Sequence, residues 1–109
     1  MMLAIFSANA ERTINFSGKI GTYGVKGNVT LFGSTIVGNY KYVKNSGSLG
    51  LKGTAYSQGN NIQLIMTEVD NKGRESGWWN VIYNPYNRSV TGTMSTRKGK
   101  TYRVNLKSN

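Results

Sequence analysis

Three of the four acidic residues, Glu68, Asp70 and Glu75, fall within one window of eight residues. A carboxylate pair is what glycoside hydrolysis needs, and a carboxylate cluster is what a calcium loop needs. Here Lys72 and Arg74 stand between the acids, and the spacing fits no EF-hand loop. The segment Asp70-Asn71-Lys72-Gly73 reads instead as a solvated hairpin turn, because Asp and Asn fold back onto their own backbone and Gly accepts positive φ. Glu68 differs from the other two. It continues the alternating face of Ile62, Leu64 and Met66 and so should point inward. A carboxylate in an apolar interior has to be paired or hydrogen-bonded. A basic or tyrosine partner is therefore expected, with polarisation of a bound ligand as the alternative role.

The chain has no His and no Cys. Histidine-based triads, thiol nucleophiles and zinc fingers are excluded. A Ser nucleophile would need a buried neutral Lys as its base, and nothing in the sequence marks one. Gly21-Thr22-Tyr23-Gly24 does not open a helix, so it is no phosphate loop. The expectation is a protein without catalytic residues, metal or cofactor. Its charge is more informative: 14 Lys and Arg against 4 Asp and Glu give a formal net charge of +10. Arg97, Lys98, Lys100, Arg103 and Lys107 gather near the C-terminal end with no acid among them. Lys19, Lys26, Lys41 and Lys52 alternate with apolar residues. Such a positive exterior attracts nucleic acid, anionic lipid or acidic polysaccharide, although lysine on strands also guards sheet edges against pairing. Trp78 and Trp79 are adjacent and must face opposite sides of a strand. Trp79 shares the phase of the apolar set, which leaves Trp78 outside as a candidate contact residue. Tyr86, in a loop, and Tyr56 are further exposed aromatics on which a base could stack. No RNP-type motif is present, so nucleic acid is the weaker partner alternative.

The elements that carry these residues are strands. From Thr13 onward apolar and polar residues alternate at period two, in runs closed by Gly, Asn or Ser. The apolar faces are Ile14/Phe16/Gly18/Ile20, Val25/Gly27/Val29/Leu31, Ile36/Gly38/Tyr40/Tyr42 and Leu49/Leu51/Gly53/Ala55. They continue with Ile62/Leu64/Met66/Glu68, Gly77/Trp79/Val81/Tyr83, Val90/Gly92/Met94 and Tyr102/Val104/Leu106. Short Gly- and Asn-containing connectors such as Phe32-Gly33-Ser34 and Gly59-Asn60 make hairpins, so sequential strands pair. Six of the eight faces contain a glycine, which points to sharp coiling or close backbone approach. The predicted fold is all-β: a single eight-stranded antiparallel meander over residues 11 to 109, closed or nearly closed into a lipocalin- or avidin-like barrel. A two-sheet sandwich is the runner-up.

Gly38-Asn39-Tyr40-Lys41-Tyr42, Leu49-Gly50-Leu51-Lys52-Gly53 and Ile62-Gln63-Leu64, followed by Glu68, Gly73 and Gly77, resemble a type of small exported bacterial β-domain of calycin-like architecture. The resemblance spans about residues 14 to 96 and implies a meander barrel without an assigned activity. Ser76-Gly77 ahead of two aromatics, with a basic last hairpin, is also similar to periplasmic inhibitors of C-type lysozyme, which usually carry cysteines that this chain lacks. Met1 to Ala10 is uncharged, apolar and ends in Ala8-Asn9-Ala10, the pattern of a signal-peptide remnant with its cleavage site. A periplasmic or secreted product follows, and the absence of Cys means that its fold needs no disulfide. The expected function is a non-catalytic exported binding module. Its basic outer face, with Trp78, Tyr86, Arg97, Lys98, Lys100, Arg103 and Lys107, would contact an anionic envelope component, extracellular macromolecule or protein. The alternatives are a small-ligand carrier using an interior of Tyr40, Tyr42, Met66, Glu68 and Trp79, or an inhibitor of an envelope or host enzyme.

Overall fold

A computed structural model describes residues 11–45 and 47–109, so the signal-peptide reading of residues 1 to 10 lies outside the described residues. The alternating runs form eight strands: β1 (Glu11–Ile20), β2 (Tyr23–Phe32), β3 (Thr35–Tyr42), β4 (Leu49–Gln58), β5 (Asn61–Val69), β6 (Glu75–Asn84), β7 (Ser89–Thr96) and β8 (Thr101–Ser108). Each pairs antiparallel with its neighbours in sequence, and β8 returns to β1 through Ile20↔Val104 to Phe16↔Ser108. The sheet is a closed barrel, and the two-sheet alternative does not form.

Closure forces the strands to tilt, and the register shows the tilt directly. Ladder partners followed from Glu11 run through Phe32, Thr35, Thr54, Ile65, Asn80, Thr93 and Arg103. The Arg103 carbonyl then accepts from the Gly21 N–H at 2.8 Å, at the opposite end of β1 from the starting point.

The inward residues are those of the apolar phase. Val81, Val104 and Ile36 are wholly buried, and Trp79, Tyr40, Leu64 and Met94 nearly so, in one cluster that fills the barrel. At the end of the barrel where β1 starts, Arg12 lies over the Tyr83 ring with its guanidinium carbon 5.4 Å from the centroid and caps the packing.

The inward glycines are the positions where neighbouring backbones come too close for a side chain. Gly53 is the clearest. A methyl group there would overlap the Ile65 carbonyl oxygen and stand 2.8 Å from the Met66 Cα, both in the backbone of β5. Gly18, Gly27, Gly38 and Gly92 meet adjacent backbone in the same way, while Gly77 is looser, with the nearest backbone oxygen, that of Ser95, at 3.0 Å. Gly53→Ala should therefore destabilise the fold by about 1–3 kcal/mol, the usual cost of overpacking a rigid site. Gly47→Ala, where no heavy atom lies within 4 Å of the added carbon, should stay within about 0.5 kcal/mol of wild type. Urea unfolding midpoints of the two variants test the contrast.

Candidate functional site

Inside the barrel, one acid collects three donors. Glu68 is 5% exposed and is the buried charged residue of the core. The Tyr40 hydroxyl donates to its Oε1, the Ser76 hydroxyl donates to Oε2 at 2.7 Å, and the Trp79 indole N–H reaches Oε1 at 3.4 Å. The expected inward carboxylate with a tyrosine partner is present, and no basic side chain bonds to it among the described residues. Ser76 gets there through an irregularity in pairing: β5 and β6 shift register between Glu68 and Val69, so that Glu68 faces Gly77 and Val69 faces Glu75. The residue left between them is Ser76, turned onto the carboxylate as β-bulges commonly turn a side chain.

Aromatic rings link this network to one end of the barrel. Trp79 packs edge-on against Tyr40 with centroids 5.0 Å apart, Tyr40 against Tyr42 at 5.7 Å, and Tyr42 against Tyr23 at 6.1 Å. Burial, reinforced by the Glu68 charge and the hydrogen bond to it, holds the Tyr40 hydroxyl far above the ordinary tyrosine value of 10.0. Tyr42 is raised too, chiefly by burial. Tyr23, Tyr42 and Tyr102, with Ile20, Asn45 and Thr96, line an open mouth of about 260 Å³. Of the expected interior residues, Tyr40, Met66, Glu68 and Trp79 are thus packed into the core and Tyr42 is half-exposed at the rim.

The turns at this end carry charge. Asp70 organises the β5–β6 turn by accepting from the backbone N–H of Lys72 at 2.9 Å and of Arg74 at 3.0 Å, and from the Arg74 Nε at 3.2 Å. The Arg74 N–H bond leads the causes that lower its pKa below 3.8. Its second carboxylate oxygen lies 3.9 Å from Arg97 in the β7–β8 turn, and the Arg97 N–H donates to the Ser76 carbonyl. Asp70 therefore belongs to a turn fastened to its neighbour, apart from Glu68 in the interior. Among the described residues, no group of three His, Cys, Asp or Glu side chains could hold a metal ion.

The predicted surface residues divide among separate places. Trp78 is 43% exposed on the outer wall. Its ladder row runs through Ser95 to Thr101, at the foot of the turn that carries Arg97, Lys98 and Lys100. Arg103 follows two residues further along the outer face of β8, so these five residues share one corner. Tyr86 lies at the opposite end of the barrel in the β6–β7 turn, 81% exposed, where Asn84 accepts its N–H. Lys107 belongs with Tyr86: its ammonium donates to the Asn87 carbonyl at 3.2 Å. No family model, curated protein or solved structure matches this chain.

Sequence reasoning passed over the role of Ser76, because a bulge breaks the alternation that reveals inward positions. The pair Ser76-Gly77 beside two aromatics was the only visible trace. It also missed Arg88, a non-glycine residue at φ 62° in the β6–β7 turn.

A protonated Tyr40 in the fold and an ionisable one in the unfolded chain make stability depend on alkaline pH. The contribution is complete below about pH 10 and is lost as pH rises above that value. Tyr40→Phe should be less stable than wild type by about 1–3 kcal/mol near neutrality, for the lost bond to a charged acceptor. Its stability should also fall less steeply above pH 10. Urea titrations from neutral pH into that range check both; parallel slopes would remove Tyr40 from the linkage.

Proposed function

We propose that the protein is a non-catalytic, exported binding module that contacts an anionic macromolecule at the corner made by Trp78, Arg97, Lys98, Lys100 and Arg103. The observation that carries this reading is the ladder row from Trp78 through Ser95 to Thr101, which sets an exposed indole beside a turn of cations. Tryptophan supplies contact area and arginine and lysine supply charge, a combination enriched where binding energy concentrates. The interior supports the same reading from the other side. Tyr40, Met66, Glu68 and Trp79 are packed against one another, so a carrier would have to work from the small tyrosine mouth. An inhibitor of an acidic enzyme would use the same corner, whereas a basic lysozyme would be repelled by a +10 surface.

The test uses dextran sulfate as a generic polyanion and reads binding by calorimetric titration. Arg97→Gln/Lys98→Gln/Lys100→Gln should weaken binding by about tenfold or more, and Trp78→Ala by a similar factor, with unfolding midpoints close to wild type because all four side chains are exposed. Affinity should collapse as salt rises toward about 0.5 M. Binding that ignores salt, or a triple variant with wild-type affinity, defeats the proposal.

A further inference from the structure

On the wall away from that corner, the register builds two polar rows that alternation alone does not reveal. Asn15 pairs with Asn28 and Asn28 with Asn39, which sets three amides side by side across β1, β2 and β3. One step along each strand's outer face, Ser17 pairs with Lys26 and Lys26 with Lys41. These six side chains line an open cleft of about 470 Å³. Its floor is backbone of Phe16, Gly27 and Tyr40, whose two aromatic side chains are buried in the barrel.

Two features set the cleft apart from the rest of the wall. First, Lys26 and Lys41 are directly opposed, an arrangement that costs stability in an antiparallel pair, and among the described residues neither forms a salt bridge with an Asp or Glu side chain. Glu68 is inside the barrel, Asp70 and Glu75 flank the β5–β6 turn, and Glu11 is six residues from Ser17 along β1, about 20 Å. That exceeds the screening length of about 8 Å in physiological salt. Second, polar side chains elsewhere on the wall satisfy one another: Thr13 with Thr30 at 2.9 Å, Gln63 with Asn80 at 3.0 Å and Ser95 with Thr101 at 3.0 Å. Among the described residues, none of the six cleft side chains bonds to another protein group.

We infer that this cleft is a binding site for an acidic polysaccharide chain, with the asparagine row taking hydroxyl groups and the lysine row taking carboxylates. An amide offers a donor and an acceptor together, which suits a hydroxyl, and an ammonium suits an anionic group. Adjacent strands repeat about every 4.8 Å, so a polymer lying across them meets one amide and one hydroxyl or ammonium at each step. The cleft presents no aromatic side chain for base stacking and no apolar side chain to enter a lipid surface. The inference rests on the binding-module reading above but places the occupant at a different site.

Polygalacturonate oligomers, which carry both hydroxyls and carboxylates, are the probe, with polyphosphate as the anion lacking hydroxyls; calorimetric titration reads both. Asn28→Ala/Asn39→Ala should weaken polygalacturonate binding by about tenfold and leave polyphosphate unchanged. Lys26→Gln/Lys41→Gln should weaken both, with an unfolding midpoint no lower than wild type. Unchanged polygalacturonate affinity in the asparagine variant, or equal loss for the two polymers, overturns the cleft. If the cleft variants bind normally while Arg97→Gln/Lys98→Gln/Lys100→Gln does not, the corner stands and the cleft falls. Wild type that binds neither polymer overturns both readings.

Discussion

A sheet of eight strands that closes on itself leaves an interior just wide enough for side chains, and the composition of this chain answers to that limit. Neighbouring backbones crowd at Gly53 and its counterparts, so glycine stands where a methyl group could not. The space that remains is filled by Trp79, Tyr40 and aliphatic residues. Tyrosine and tryptophan each bring a donor that must be satisfied when buried. Glu68 accepts from both and from Ser76, and no buried side-chain polar atom is left unpaired among the described residues. The interior carboxylate is best understood as the acceptor that permits a small barrel to be packed with large amphipathic rings.

How much of this could be read beforehand follows from the same geometry. Alternation is a property of one strand at a time, so the inward faces of all eight, Glu68 included, were legible from residue order. The closed meander followed from short connectors and the glycine phase. What alternation cannot express is the relation between strands. The opposition of Lys26 to Lys41, the line of Asn15, Asn28 and Asn39, and the approach of Trp78 to the last turn all depend on register. The split of Tyr86 and Lys107 from Arg97, Lys98 and Lys100 depends on which end of the barrel each turn occupies. Residue order alone grouped them by charge and exposure, whereas the barrel separates them by its length.

Charge is arranged in a related way. The inward positions accept almost none, so thirteen of the cations are exposed and Lys41 is half-buried. Of the acids, Glu68 is consumed by the interior and Asp70 by its own turn. Little negative charge remains to balance the wall. A positive field over most of the surface follows from the filling of the core as much as from the count of lysines.

The seam between β1 and β8 has a kinetic meaning. Every other ladder joins consecutive strands across a short turn, so each can form locally and early. The pairing of Phe16–Ile20 with Val104–Ser108 joins residues separated by most of the chain, and its loop-closure entropy is met only once the intervening hairpins are in place. Without that seam the sheet would have two unpaired edges, those of β1 and β8, and closure removes both at once.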